Sequence, residues 1–350
     1  MKFKENKKQK IFISKEYNYF FDKTNGFFAR WGKTEDEDPI MSLIGPEIID
    51  IEISTICSGV GEPCKFCYKS NTQNGQNMSL ETFKKIINNL PFKERNGKRE
   101  YYSTQIAFGI GDINSNPDFW NIMEYSRENG IIPNVTINGW NISDEEYDKL
   151  ANICGAVAVS DYGADICYEA VKKLTDRGMK QVNIHKLVSE ETIDSCMNII
   201  DDVKNDKRLK KLNAVVFLML KKKGRGKSLS YPSKENYKKL MDKCLKEEIR
   251  FGMDSCSCNN FLDIIKDHKD YDKLYKVAEP CESSIFSLYI NTEGKVFSCS
   301  FCEGEKGWEE GLDMTKDGLN FFKDIWYSEK LNKWRKRLLN NNRSCPMYDI

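Results

Sequence analysis

From residue 48 to about 255, short runs of β-branched and aromatic residues alternate with helical stretches, and no other feature restricts the fold so strongly. Strand-like runs fall at 49–55, 104–108, 135–137, 156–159, 181–184, 213–218 and 250–253. Helical patterns separate them at 79–89, 118–129, 143–153, 165–177, 190–204 and 233–246. Two of these open on helix-start chemistry. Ser79 is followed by Glu81 and Thr82, and Ser143 by Asp144, Glu145 and Glu146, supplying an N-cap and early negative charge. Strand–helix units repeated about six times predict parallel strands joined by right-handed crossovers. The fold class is α/β, and both a barrel and an open doubly wound sheet satisfy the pattern. In either, functional residues gather at the C-terminal ends of the strands.

The flanks differ in style. In 1–45, Tyr17-Asn18-Tyr19-Phe20-Phe21 and Phe27-Phe28-Ala29-Arg30-Trp31 surround Asn25-Gly26, which predicts a β-hairpin extension. After 255, the run 286–291 leads through Gly294 to 296–298 as a second hairpin, and a last helix is expected over 319–339 with Trp326 and Trp334 as packing residues. The expected division is therefore 1–45, a core over 46–255, and a small cysteine-rich α+β region over 256–350.

Charge excludes some partners. Fifty-four Lys and Arg balance fifty-three Asp and Glu, so no global field recommends nucleic acid. No apolar run suits a membrane span, and the N-terminus lacks the apolar core of a secretory signal. The notable numbers are 13 cysteines and two histidines, His185 and His268. An odd cysteine count without a signal points to a reducing, cytoplasmic setting. Any bound metal is then held by sulfur. His185 and His268 read as structural, and Cys154, Cys167, Cys196 and Cys244 as buried core residues on helical patterns.

Directly after the first strand comes Cys57-Ser58-Gly59-Val60-Gly61-Glu62-Pro63-Cys64-Lys65-Phe66-Cys67. Three thiolates within eleven residues can wrap one iron–sulfur cluster and leave one iron open. The alternative is a zinc half-site, which is ordinarily closed by a nearby fourth ligand, and none follows before Cys154.

At this loop the chain resembles the radical S-adenosylmethionine (AdoMet) superfamily. The usual motif there is C-x3-C-x-aromatic-C after the first strand of a partial (β/α)6 barrel. Cys64-Lys65-Phe66-Cys67 matches its second half, while the first spacing is six residues rather than three. The resemblance implies that Cys57, Cys64 and Cys67 hold a 4Fe–4S cluster and that Phe66 lies near the adenine of AdoMet. It makes Gly109, Gly111 and Asp112 the segment that binds the methionine amino group. It also assigns Asn138 and Ser160, at the ends of the third and fourth strands, to AdoMet. Arg225, between two glycines after the sixth strand, would meet a carboxylate of AdoMet or of the substrate.

Cys281-x12-Gly294-x4-Cys299 is similar to the opening of the SPASM/twitch extension of those enzymes, in which a hairpin carries an auxiliary cluster. Only six cysteines follow residue 250, which matches one such cluster. Cys281, Cys299, Cys302 and Cys345 are the expected ligands, with Cys256 or Cys258 able to replace one of them. A four-cysteine zinc ribbon is the alternative. The resemblance implies reductive cleavage of AdoMet to a 5′-deoxyadenosyl radical, an electron donor such as flavodoxin or ferredoxin, and hydrogen abstraction from a peptide or protein. A small-molecule substrate is the runner-up, and a non-catalytic zinc-binding interaction protein a distant third. With no further N-terminal domain to bind a peptide leader, recognition is expected to use the hairpin or a separate protein.

Overall fold

A computed structural model describes residues 1–348 and 350. The chain begins with a four-stranded antiparallel meander: β1 (Lys2–Glu5), β2 (Gln9–Ile13), β3 (Asn18–Asp22) and β4 (Phe28–Trp31). The expected hairpin is its second half; the first half adds two strands that the lysine-rich start obscured. Phe3, between surface Lys2 and Lys4, and Phe12, between Ile11 and Ile13, point inward and pack with Tyr17, Tyr19 and Phe21. Lys10 is itself wholly buried, donating from Nζ to the carbonyls of Tyr101 and Ser103 at 2.7 Å each.

The core then runs β5 (Ile48–Glu52), α1 (Leu80–Asn88), a small hairpin of β6 (Phe92–Arg95) and β7 (Lys98–Tyr101), β8 (Gln105–Gly109) and α2 (Phe119–Glu128). It continues with β9 (Ile132–Ile137), α3 (Asp144–Ile153), β10 (Ala156–Ser160), α4 (Ala164–Asp176) and β11 (Val182–Val188). Then come α5 (Ile193–Asn205), β12 (Ala214–Met219), α6 (Lys234–Lys246) and β13 (Phe251–Met253). All seven expected core strands and six helices form, and the hairpin turning at Asn96-Gly97 is additional. Both start signals act as caps. Ser79 Oγ accepts from Thr82 N at 3.1 Å, and Ser143 and Glu146 close a capping box.

Short helices α7 (Cys258–Ile264) and α8 (Tyr271–Val277) lead to β14 (Ser287–Ile290), β15 (Lys295–Phe297), β16 (Leu312–Asp313) and α9 (Glu329–Leu339). The last helix is not continuous from 319. A π-helical turn over Phe321–Trp326 stops, and Ser328 caps a new helix by accepting from Leu331 N. Trp326 and Trp334 pack inward with their N–H groups satisfied. Trp326 donates to Ser42 O at 3.1 Å and Trp334 to Ser283 Oγ at 2.8 Å.

The ten-stranded sheet has the order β13-β12-β11-β10-β9-β8-β5-β14-β15-β16. From β5 to β13 every new strand is added on the same side of its predecessor. Right-handed crossovers then place all the helices on one face, whereas a doubly wound sheet reverses direction at a switch point. The chain is thus singly wound, as in barrel folds, with unpaired ends at β13 and β16. Alternation along each strand follows from this. Ile49, Ile51, Val135, Ile137 and Ile184 are buried beneath the helices, while Asp50, Glu52, Thr136 and His185 line a cavity on the other face. Cys154, Cys167, Cys196 and Cys244 are buried as expected. No helix among the described residues is long and apolar enough to cross a membrane.

Candidate active site

The cysteine loop leaves β5 at the expected strand end and is held on both sides. Cys57 N donates to Thr72 O at 2.9 Å, and Gly59 N to Cys57 Sγ at 3.3 Å. Gly59 has φ +75°, and a Cβ there would lie 1.9 Å from Glu62 O, so this turn requires glycine. The basic segment after β12 forms the opposite clamp. Arg225 donates from its backbone N to Cys67 O at 3.0 Å, from Nε to Cys64 O at 2.7 Å and from Nη1 to Asn71 O at 3.1 Å. Its guanidinium therefore holds the loop by carbonyls.

Tyr162, in the loop after β10, was not signalled by the sequence. Its hydroxyl lies 2.9 Å from Cys64 Sγ, and its ring stacks on Phe66 with centroids 5.9 Å apart at 23°. Gly111 closes the other flank, where a Cβ would lie 2.4 Å from Cys57 Sγ. Burial pushes the Cys57 and Cys64 thiols up from their ordinary range; a bound metal favours the deprotonated thiolate instead.

Cys57, Cys64, Cys67, Phe66, Gly109, Gly111, Ser160 and Arg225 all border one cavity of about 670 Å³. Two expected AdoMet residues do not line it. Asp112 caps the short helical turn 113–115, accepting from Asn114 N at 2.9 Å. Asn138 is buried with Oδ1 accepting from Trp140 N at 2.9 Å, while its Nδ2 has no partner among the described residues.

On the far wall of the same cavity stand Cys256, Cys281, Cys299 and Cys345. These four surround Lys221, which is ion-paired to Asp254. Cys302 is absent from that wall. It is fully buried in the core, with Sγ 3.2 Å from Cys299 Sγ. Among the described residues no three His, Cys, Asp or Glu side chains approach as a single-ion site would require, so the thiols are spread around a larger space. A wider groove of about 1070 Å³ opens at the strand N-terminal ends, near Glu5, Lys23 and Gly130, but none of these seven thiols reaches it.

A second group missed in the sequence joins the two walls. Lys69, just beyond Cys67, meets Glu52 at 3.2 Å, donates to Tyr289 Oη at 2.7 Å and pairs with Glu303. Tyr289 donates to Glu52 at 2.9 Å, and Asn291 to Glu303 at 2.8 Å. Burial raises the Glu52 carboxyl. Burial is also the largest single influence on Glu303 and acts to raise it, but the charge of Lys69 and hydrogen bonds from Lys69, Asn291 and Tyr289 together hold it low. Tyr68 stacks against Phe301 beside this network, centroids 4.4 Å apart.

Among solved structures, SuiB of Streptococcus suis bound to precursor peptide SuiA superposes with a TM-score of 0.64 at 13% identity, over 92% of this chain and 90% of that one. SuiB bound to S-adenosylmethionine gives 0.61 at 14%, over 94% and 88%. The chain anSMEcpe, with bound AdoMet and Cp18Cys peptide, gives 0.57 at 16%, over 83% of each. The fold is theirs. No protein-family model and no curated protein matches the sequence.

Proposed function

We propose that this chain is a radical AdoMet enzyme acting on a peptide or protein. The observation that carries the reading is the Cys57/Cys64/Cys67 triplet, clamped at a strand-end mouth and open to a cavity large enough for cofactor and substrate together. An all-sulfur donor set with no fourth protein ligand beside it fits a 4Fe–4S cluster better than a closed zinc site. When bound, such a cluster supplies the electron that cleaves AdoMet to methionine and a 5′-deoxyadenosyl radical. The chain's own residues hold and shield. Phe66 and Tyr162 give an aromatic wall for the adenine, Ser160 offers a hydroxyl, Gly109 presents bare backbone to the cavity, and Gly111 makes room for Cys57. Asn138 lies outside the cavity wall, and Asp112 fixes the adjoining turn.

Cys256, Cys281, Cys299 and Cys345 are the better set for an auxiliary cluster, with Cys256 in the place expected for Cys302. Four protein thiolates leave no open iron, which suits electron transfer rather than substrate ligation. A peptide substrate is favoured because solved structures sharing the fold are described with bound peptides. The electron would come from a flavodoxin- or ferredoxin-type donor, in a reducing cytoplasm that keeps the thiols free.

Iron and sulfide per chain after anaerobic reconstitution test this directly. About eight iron should fall to about four when Cys57, Cys64 and Cys67 are all changed to alanine, and Cys64→Ala should abolish 5′-deoxyadenosine formation. A colourless protein that binds only zinc would replace the proposal with the interaction-module reading.

A further inference from the structure

Among the described residues five carboxylates line the cavity: Asp50, Glu52, Asp161, Asp254 and Glu282. Four have a protein cation. Glu52 lies 3.2 Å from Lys69, Glu282 lies 2.8 Å from Arg30, Asp161 pairs with Lys186 and Asp254 with Lys221. Asp50 has none. Among the described residues no group donates a hydrogen bond to it, and its charged neighbour is Glu282, of like sign. Arg225, the remaining cation of the wall, has Nε and Nη1 committed to carbonyls of the cysteine loop. The cavity's own charges therefore cannot neutralise Asp50.

Its position excludes an ordinary surface role. Asp50 lies in the middle of β5, in register with Ala107 of β8 and Tyr289 of β14. Its side chain is exposed, and the space it faces is the cavity. Desolvation by the surrounding protein, with the charge of Glu282 added, lifts its carboxyl to about 7. The phenol of Tyr68 is near enough to feel the charge of Asp50, so an aromatic group borders the same spot. A carboxylate without a cation of its own, set in a cavity wall, is a ready acceptor for a cationic ligand. A long side chain with apolar methylenes and a cationic tip suits carboxylate and aromatic wall together.

We propose that Asp50 is the specificity residue of this cavity and receives the ammonium or guanidinium of a lysine or arginine side chain on the peptide substrate. This rests on the cavity being the substrate site of the proposed enzyme. AdoMet carries cationic groups of its own, so the test must separate the two sources.

The measurement is calorimetric titration of reconstituted, AdoMet-loaded and unreduced protein with three probes. These are acetyl-Gly-Lys-Gly-amide, its arginine counterpart and its norleucine counterpart. A charge-assisted contact predicts that at least one basic peptide binds the wild type about tenfold or more tighter than the norleucine peptide. Asp50→Asn should erase that preference, Asp50→Glu should keep part of it, and AdoMet affinity should not move. Equal or undetectable binding of all three probes to the wild type overturns the proposal. So does a preference that survives in both Asp50→Asn and Asp50→Ser, or an Asp50→Asn variant that loses AdoMet instead. No reductant is present, so the result does not depend on radical chemistry, which the iron count and 5′-deoxyadenosine assay judge separately.

Discussion

Gly111 shows how much a single absent methyl group can decide. Its Cα faces Cys57 so closely that alanine would place Cβ 2.4 Å from the sulfur and 2.6 Å from the Cβ of Cys57, so rotating the sulfur away does not relieve the clash. Gly111→Ala should therefore displace Cys57 and lower iron occupancy of the triplet, read as iron per chain, with the melting temperature changed little. Asp50 makes a different residue-scale prediction. Its carboxyl titrates near 7 when folded, against an ordinary value of 3.8, so the folded state binds more protons between those values and loses stability as pH rises through them. Above about pH 7 the cost is fully present, and near pH 4 it is gone. Asp50→Asn should raise the melting temperature at pH 8 and leave it nearly unchanged at pH 4. The cysteine triplet was legible because its ligands are contiguous and follow a recognisable strand. Tyr162 and Asp50 were not, because an aromatic after a strand and an acid within one carry no local signature.

Among the elements, the N-terminal sheet is tied to the rest by buried charge. Arg30 of β4, only 8% exposed, bonds Glu47 at 2.8 Å, Glu282 at 2.8 Å and Glu279 at 2.5 Å, and lies over the ring of Phe286. Removing Arg30 leaves Glu47, the buried partner, without its cation at a cost of about 3–5 kcal/mol, while Glu279 and Glu282 are partly exposed and regain water. Arg30→Met should thus destabilise the fold by roughly that amount in denaturant melts at pH 7.5. The loss should shrink toward pH 5 as the orphaned carboxylates take up protons. The elements of the core were legible from the 3.6- and 2-residue periodicities, with ends within a few residues. The first two strands were hidden because Lys10, which sequence habit puts on the surface, is an inward anchor. The final helix was read too long because one apolar face continues through the break at Tyr327-Ser328.

Across the whole molecule, two sets of thiols separated by some 200 positions in the chain face one space. Which of the C-terminal cysteines point there is settled by tertiary packing. The adjacent Cys299 and Cys302 suggest a pair, yet Cys302 turns into the core. Cys256→Ser should therefore remove the auxiliary iron, leaving about four per chain, while Cys302→Ser should keep about eight; the reverse pattern would restore the sequence-based set. The α/β class was plain in the alternation, but the union of β5 with β14 was not, since nothing local links strands so far apart. That union bears on how the protein is made. β5 needs a partner on each side, and the second is completed only at Ile290. At ribosomal speeds of ~5–20 residues per second, the intervening stretch of about 240 residues takes roughly 10–50 s to synthesise. For that interval the nascent chain carries its cysteine triplet beside a strand with one bare edge, open to whatever inserts the metal and to whatever aggregates.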